Sequence, residues 1–357
     1  MPVVDADAHV DETDETWEYL PKGYERYKPF TVVEAAEGQA MTPRGYNRFW
    51  CIDGTFWLRR NRDDERTGTV VETRELLDID ARLRHMDELG IDIQVCYPTL
   101  FLWTPSEKPE VEYALTYAYN RWMGAKWAES NNRLRWVAML PMFSPDKAIE
   151  EMRWAREHGA CAIYRKGVEA GLRSASDPYF FPIYKEAEAL DMAVCFHTGV
   201  GSSQWSNTKV THLSPWFGSL VPIDAFLSLV IGEIPDKFPK LRWGFIEAMS
   251  SWIPYALADL QARDERPTTS TGPFNFTLDV FKEGQFFVAC QTVEDLPYIL
   301  QRTGDGCLVA GTDYTHADQS AEIQTLNIIR TMGDEGYITA DQARKIREDN
   351  AVKLYAL

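Results

Sequence analysis

The sequence predicts an α/β protein, a (β/α)8 TIM barrel with a long insertion after its first strand. Three observations point there. Short apolar runs alternate with longer amphipathic runs along the whole chain, the pattern of parallel strands joined by helices. Eight such apolar runs can be counted. No G-x-G-x-x-G follows the first of them, which argues against a doubly wound dinucleotide fold. A barrel of this class accommodates 357 residues as one unit carrying an insertion.

Val3 to Asp7 reads as the first strand, and Asp78 to Leu89 as its helix. Leu83, Met86 and Leu89 share one face of that helix, and Gly90 supplies the stop. The insertion, residues 21–75, lies between the two. Ile91 to Tyr97 is the second strand, followed by the aromatic-rich helix Val111 to Glu129. Leu134 to Leu140 is the third, and Ser144-Pro145 opens the helix Asp146 to His158, since a capping serine before proline suits a first turn. Cys161 to Tyr164 is the fourth strand, with the helix Pro182 to Leu190. Met192 to His197 is the fifth, followed by a loop from Gly199 to Pro222. Leu241 to Glu247, Gln285 to Cys290 and Cys307 to Gly311 complete the eight, separated by helices at Trp252 to Arg263 and Val293 to Gln301. Two helices finish the chain, Gln319 to Thr331 and Thr339 to Asn350, the second capped by Thr339.

With 45% hydrophobic and 25% charged residues the chain has ample material for a core, which excludes disorder and collagen. Its 37 basic and 54 acidic residues leave a net charge of −17, which repels phosphate backbones and anionic lipid, so no nucleic-acid partner is expected. No run approaches the ~18 to 20 apolar residues a membrane span needs. The opening stretch carries Asp5, Asp7, Asp11, Glu12, Asp14, Glu15 and Glu18, unlike a signal peptide. Six cysteines lack CxxC spacing, and five fall in the apolar runs. Buried free thiols in a reducing cytoplasm are the expectation.

In such a barrel chemistry sits where strands end. The residues at or just past the predicted strand ends are Asp7 and His9, His197, Glu247, and Asp313 with His316. Imidazoles and carboxylates from distant sequence positions are what one Zn²⁺ or Mn²⁺ ion draws together, with a position left open. Asp7 and His9 are two apart and so share a face of an extended strand. Each of these residues taken alone is equally a cap or a satisfied hydrogen-bonder; jointly they form a candidate site. His85 and His158 lie on helices and read as structural, while His212, in the loop after the fifth strand, is within reach of the rim.

These residues carry a family resemblance. Asp5-Ala6-Asp7-Ala8-His9 resembles the D-x-H-x-H start of the amidohydrolase-related group of the amidohydrolase superfamily, best known through the aminocarboxymuconate-semialdehyde decarboxylase type. Asp177-Pro178 through His197-Thr198-Gly199, Glu247 to Pro254 (EAMSSWIP), Gly311 to His316 (GTDYTH), and Asn350-Ala351 with Leu354-Tyr355 are similar to further blocks of that group, in its order. The resemblance implies Asp7, His9, His197 and Asp313 as ligands of one divalent ion. It also implies catalytic roles for Asp313 and Glu247, and a supporting one for His316. Asp7 stands where hydrolytic members carry histidine, as in several decarboxylating relatives. Glu247 replaces the catalytic histidine of the decarboxylase type, whose proton-transfer role passes to Glu247 or lapses.

Three functions follow as expectations. The leading one is metal-dependent, non-oxidative decarboxylation of a small aromatic or unsaturated carboxylate, with Asp313 or Glu247 as the acid. The second is hydrolysis of a cyclic ester, amide or carbon–carbon bond, with Asp313 taking a proton from water. The third is a ligand-binding barrel without turnover. The insertion holds Tyr24, Tyr46, Phe49, Trp50 and Trp57 beside Arg44, Arg48, Arg59 and Arg60, which is expected to make it a lid or a dimer contact. Arg44, Arg48, Trp50, Arg165 and His212 are the candidate substrate contacts, because guanidinium forks grip carboxylates and aromatic walls suit planar rings.

Overall fold

The barrel strands are short, apolar on both faces and mutually parallel, as strands walled by helices must be. In the computed structural model, which describes residues 1–33, 48–59, 61–199, 219–269, 272–283 and 285–357, numbering along the chain gives β1 (Val4–Val10), β5 (Ile93–Pro98), β6 (Leu134–Ala138), β7 (Ala160–Arg165), β8 (Ala193–His197), β9 (Trp243–Ile246), β10 (Phe286–Cys290) and β11 (Leu308–Ala310). They form one eight-stranded sheet in that order, each neighbour pair parallel. The predicted eight-stranded barrel is therefore observed.

The ring closes just beyond the end of β11. Asp313 N donates to Asp7 O at 2.9 Å and His9 N to Tyr314 O at 3.0 Å. The buried Asp5 carboxylate accepts from Thr312 N at 2.8 Å, Thr312 Oγ1 at 2.7 Å and Gln94 Nε2 at 2.8 Å. Side-chain bonds thus join the first and last strands where the ladder ends. Gly311 is required at this junction: a Cβ there would lie 2.3 Å from Asp7 Cβ.

The helix Ile79–Leu89 ends at Gly90 with φ +71°, and Pro109–Glu129 and Phe181–Ala189 match their predicted spans within two residues. Pro145–Glu157 begins at the expected proline, although Ser144 makes no side-chain cap bond. Leu296–Thr303 starts later than predicted, because Asp295 caps it through Tyr298 N. Thr325–Asp334 likewise starts six residues past Gln319, which leaves Asp318 and Ser320 on the rim. The capping box of Thr339 and Gln342 is formed, and the helix then passes through a π turn, Lys345–Asp349, into Asn350–Tyr355. A helix at Leu220–Ile231 occupies part of the stretch expected to be loop.

The insertion forms a second, antiparallel sheet of β2 (Phe30–Val33), β3 (Arg48–Ile52) and β4 (Thr55–Leu58). Trp50 and Ile52 are buried from its inner face. Trp50 meets Trp17 edge-on at 5.7 Å, and Trp57 lies 6.2 Å from Trp103. Phe30 and Phe56 stay exposed, at 57% and 61%. All six cysteines are free and five are buried, with Cys96 and Cys195 thiols pushed by burial up to about 12. No helix among the described residues is long and apolar enough to cross a membrane.

Candidate metal centre

Three strand ends and the segment past a fourth bring six candidate residues to one point. Asp7 and His9 project from β1, His197 ends β8, Glu247 follows β9, and Asp313 and His316 follow β11. One potential ligand atom each from Asp7, His9, His197 and Glu247 lie within 4.8 Å of one another, and so do those of His9, Glu247, Asp313 and His316. Two overlapping tetrads make a single cluster of three carboxylates and three imidazoles.

Backbone carbonyls orient two of the imidazoles. His9 Nδ1 donates to Pro98 O at 3.0 Å and His197 Nδ1 to Thr198 O at 2.8 Å. A carbonyl only accepts, so each Nδ1 carries a hydrogen and each Nε2 is the nitrogen turned to the centre. His197 Nε2 lies 3.3 Å from Asp7 Oδ1 and 3.4 Å from Glu247 Oε2. His9 Nε2 lies 3.5 Å from both Asp7 Oδ1 and Asp313 Oδ1. His316 stacks on His9 at 4.1 Å, with Nδ1 2.6 Å from Asp313 Oδ1 and Nε2 3.4 Å from Thr99 Oγ1.

The carboxylates are steered by one hydroxyl. Ser320 Oγ lies 2.8 Å from Glu247 Oε1 and 3.0 Å from Asp313 Oδ2, and also contacts Asp318. The opposite oxygens are buried: Glu247 Oε2 accepts no hydrogen bond among the described residues, and Asp313 Oδ1 faces His316 Nδ1. Burial pushes the Asp313 carboxyl well above the usual range, and Glu247, Asp318 and Asp7 reinforce it. Glu247 is raised too, by burial first and then by Asp318 and Asp7, against the opposing His197. Burial disfavours a charged His197, yet Asp7 and Glu247 outweigh it and bring the imidazole up to about 8. Buried carboxylates that raise one another's affinity for a proton, with inner oxygens turned to one point, are a donor set that fits a divalent cation.

Four non-glycine residues of the two acidic rim loops have left-handed backbones: Glu247 (φ +55°), Met249 (+59°), Asp313 (+51°) and Thr315 (+85°). Such strain persists only where surrounding contacts over-determine it. Here the buried Glu294 carboxylate, itself past β10, accepts from Ser250 N at 2.8 Å, Ser250 Oγ at 2.9 Å and Ser251 N at 2.6 Å. Thr198 Oγ1 adds a bond to Glu247 O at 2.6 Å.

The expected substrate contacts fare differently. Trp50 is buried under the Arg59 guanidinium, 4.2 Å above its ring. Arg48 is half-buried at the start of β3, its Nη1 3.4 Å from Asn61 Oδ1. Arg165 is not brought to the centre. Strand alternation sends it to the outer layer, paired with Glu169, bonded to Tyr184 Oη at 2.9 Å and stacked 3.9 Å over Phe180. Its neighbour Tyr164 faces inward instead, 5.9 Å from the His197 ring. Arg44 and His212 lie outside the described residues. His85 bonds Tyr314 Oη at 2.7 Å and His158 stacks on Trp154 at 3.8 Å, both structural as expected.

Sequence reasoning missed Ser320 and Asp318, which it placed before or inside a helix, and Arg62. The nearly buried Arg62 guanidinium grips Asp11 through two bonds of 3.0 and 3.2 Å; against burial, Asp11 first and then Asp313 and Asp318 hold its pKa up. An arginine two residues past the Arg59-Arg60 pair was the available signal.

The comparisons agree with this architecture. A 2-amino-3-carboxymuconate-6-semialdehyde decarboxylase of Dictyostelium discoideum is 24% identical over 247 residues, 66% of this chain and 66% of its own length. A gamma-resorcylate decarboxylase of Rhodococcus jostii (strain RHA1) is 27% identical over 238 residues, 57% of this chain and 66% of its own. The chain thus spans just under two thirds of each curated relative's length. The crystal structure of an amidohydrolase from Mycobacterium avium subsp. paratuberculosis superposes with a TM-score of 0.78 at 18% identity, covering 100% of this chain and 98% of that one. The amidohydrolase family model matches residues 4–357, and the chain belongs to that family of enzymes.

Proposed function

We propose that the chain is a divalent-metal-dependent, non-oxidative decarboxylase of a small aromatic or unsaturated carboxylate. The observation that carries this reading is the buried donor cluster at the carboxyl-terminal rim, with Glu247 Oε2 and Asp313 Oδ1 turned inward. The two decarboxylases among its relatives support it.

Asp7, His9, His197 and Asp313 would hold the ion, Zn²⁺ or Mn²⁺. A bound ion supplies Lewis acidity towards the substrate's oxygens. In the reaction the bond between carbon and carboxyl breaks, its electron pair stays on that carbon, the carbon takes a proton, and CO₂ leaves. The chain's part is to deliver the proton. Asp313 Oδ1 and His316 Nδ1, 2.6 Å apart and buried, share a hydrogen close to the centre and are the proposed donors. Arg62, steadied by Asp11, meets the substrate's anionic edge from the insertion side. Arg48 acts from the same segment, with Trp50 supporting it through Arg59; Arg44 and His212, outside the described residues, are further candidates. Tyr164 presents a buried hydroxyl with no hydrogen-bond partner among the described residues, which suits a polar ring substituent.

The test is CO₂ release from a panel of hydroxybenzoic and muconic-type acids by protein loaded with Mn²⁺ or Zn²⁺. Release by the wild type and a loss of at least ~100-fold in Asp313→Asn are expected. Loaded protein that opens lactones or amides but releases no CO₂ would replace this reading by hydrolysis. A cytoplasmic homodimer belongs to the same reading, and sedimentation velocity checks the assembly.

A further inference from the structure

The resemblance offers Glu247 the proton-transfer role of the histidine it replaces, but its geometry points elsewhere. We propose that Glu247 is a fifth protein ligand of the metal centre, and that the resulting set of three carboxylates and two imidazoles shifts the site's preference from Zn²⁺ towards harder cations such as Mn²⁺. This rests on the proposed metal centre and deepens it.

The side chain has no freedom to be elsewhere. Glu247 directly follows β9 in a left-handed conformation, φ +55°. Its carbonyl is held by Thr198 Oγ1, the preceding Ile246 carbonyl accepts from Thr198 N at 3.1 Å, and the following serines are clamped by Glu294. The outer oxygen, Oε1, is taken by Ser320 at 2.8 Å. What remains is Oε2, on a side chain 8% exposed, 3.4 Å from His197 Nε2 and without a hydrogen bond.

Asp313 is arranged similarly. Its outer Oδ2 faces the same Ser320 hydroxyl at 3.0 Å, and its inner Oδ1 lies among the donor atoms, 3.5 Å from His9 Nε2 and 2.6 Å from His316 Nδ1. One hydroxyl hydrogen serves Glu247, Asp313 and Asp318 and satisfies one of them at a time, so the inner pair is left for a cation. Glu247 is also, with His9, one of the two residues common to both tetrads.

The chemistry of the set follows. Carboxylate oxygens suit Mn²⁺ and Mg²⁺, and imidazole suits Zn²⁺. Zn²⁺ is the stronger binder in any one nitrogen–oxygen site, so the informative quantity is the ratio of the two affinities. A glutamate in place of an imidazole narrows that ratio, and a fifth donor favours an ion that accepts more than four.

The experiment strips the full-length chain with a chelator and measures Mn²⁺ and Zn²⁺ affinities by competition, with the electron paramagnetic resonance of bound Mn²⁺. Glu247→Gln is expected to lower Mn²⁺ affinity at least ~10-fold and to change the spectrum. Glu247→His is expected to raise the Zn²⁺-to-Mn²⁺ affinity ratio at least ~10-fold. An unchanged ratio in Glu247→His, or an unaltered spectrum and affinity in Glu247→Gln, overturns the assignment. If Glu247→Gln fails to fold, Glu247→His against Glu247→Asp makes the same comparison, because a ratio is read. Wild-type protein that takes up neither ion overturns the metal centre as a whole. Binding is read without turnover, so absence of CO₂ release from the acid panel counts against the decarboxylase alone.

Discussion

At the scale of single residues, the centre is set by bonds made on the side of each ligand that faces away from it. His9 and His197 spend Nδ1 on carbonyls, and Glu247 and Asp313 meet Ser320 through their outer oxygens. Each such bond aims the other atom of the same group inward. Left-handed backbone at Glu247, Met249, Asp313 and Thr315 costs on the order of 1–3 kcal/mol per residue, and the Glu294 and Asp7 contacts offset it. Gly311 is the tightest of these constraints. Gly311→Ala places a methyl group 2.3 Å from Asp7 Cβ, so a stability loss of ~1–3 kcal/mol or more in urea titration is expected, together with weakened Mn²⁺ binding as Asp7 is displaced. Native stability with unchanged binding would show that the junction yields more than its contacts indicate.

At the scale of elements, the helix Pro109–Glu129 is tied to the loop after β6 by a half-buried acid. Glu112 Oε2 accepts from Phe143 N at 3.0 Å, and burial, the largest influence on it, raises its carboxyl from 4.5 to about 8. Between those two values the folded chain keeps a proton that the unfolded chain has released. Stability therefore falls as pH rises through this window, by on the order of 5 kcal/mol. Glu112→Gln should flatten the fall, read by urea unfolding at several pH values between 5 and 8. An identical pH slope in the variant would mean that Glu112 ionises in the folded state near its ordinary value.

At the scale of the whole molecule, the centre draws on β1, β8, β9 and the segment past β11, so an ion there fastens elements from both ends of the chain. A ligand that binds only the folded form stabilises it by ~2.7 kcal/mol at about 100 times its Kd. Saturating Mn²⁺ is thus expected to raise the Tm by a few degrees in wild type, and to leave it unmoved in His197→Ala, by calorimetry. A Tm that responds equally in both proteins would place the ion elsewhere.

The eight strands and all six cluster residues were legible in the sequence, because an apolar run and the residue at its end are neighbours in the chain and both lie in one local pattern. Asp7 and His9, His197, Glu247, and Asp313 with His316 each follow directly from such a run. Arg165 shows where local reading stops: it too ends a strand, but period-two alternation turns it to the helices while Tyr164 faces the centre. Ser320 and Arg62 were illegible because a serine near a helix start and an arginine in a long insertion each have a bland local reading. Only the closing of the barrel sets Ser320 beside Glu247, 73 residues away, and Arg62 within the field of Asp313. By itself the sequence determined which residues stand at strand ends, since backbone periodicity and burial act over a few residues. Which oxygens and nitrogens face one another was decided by tertiary structure, because that depends on the seam between first and last strands and on clamps such as Glu294, made between segments that share no local pattern.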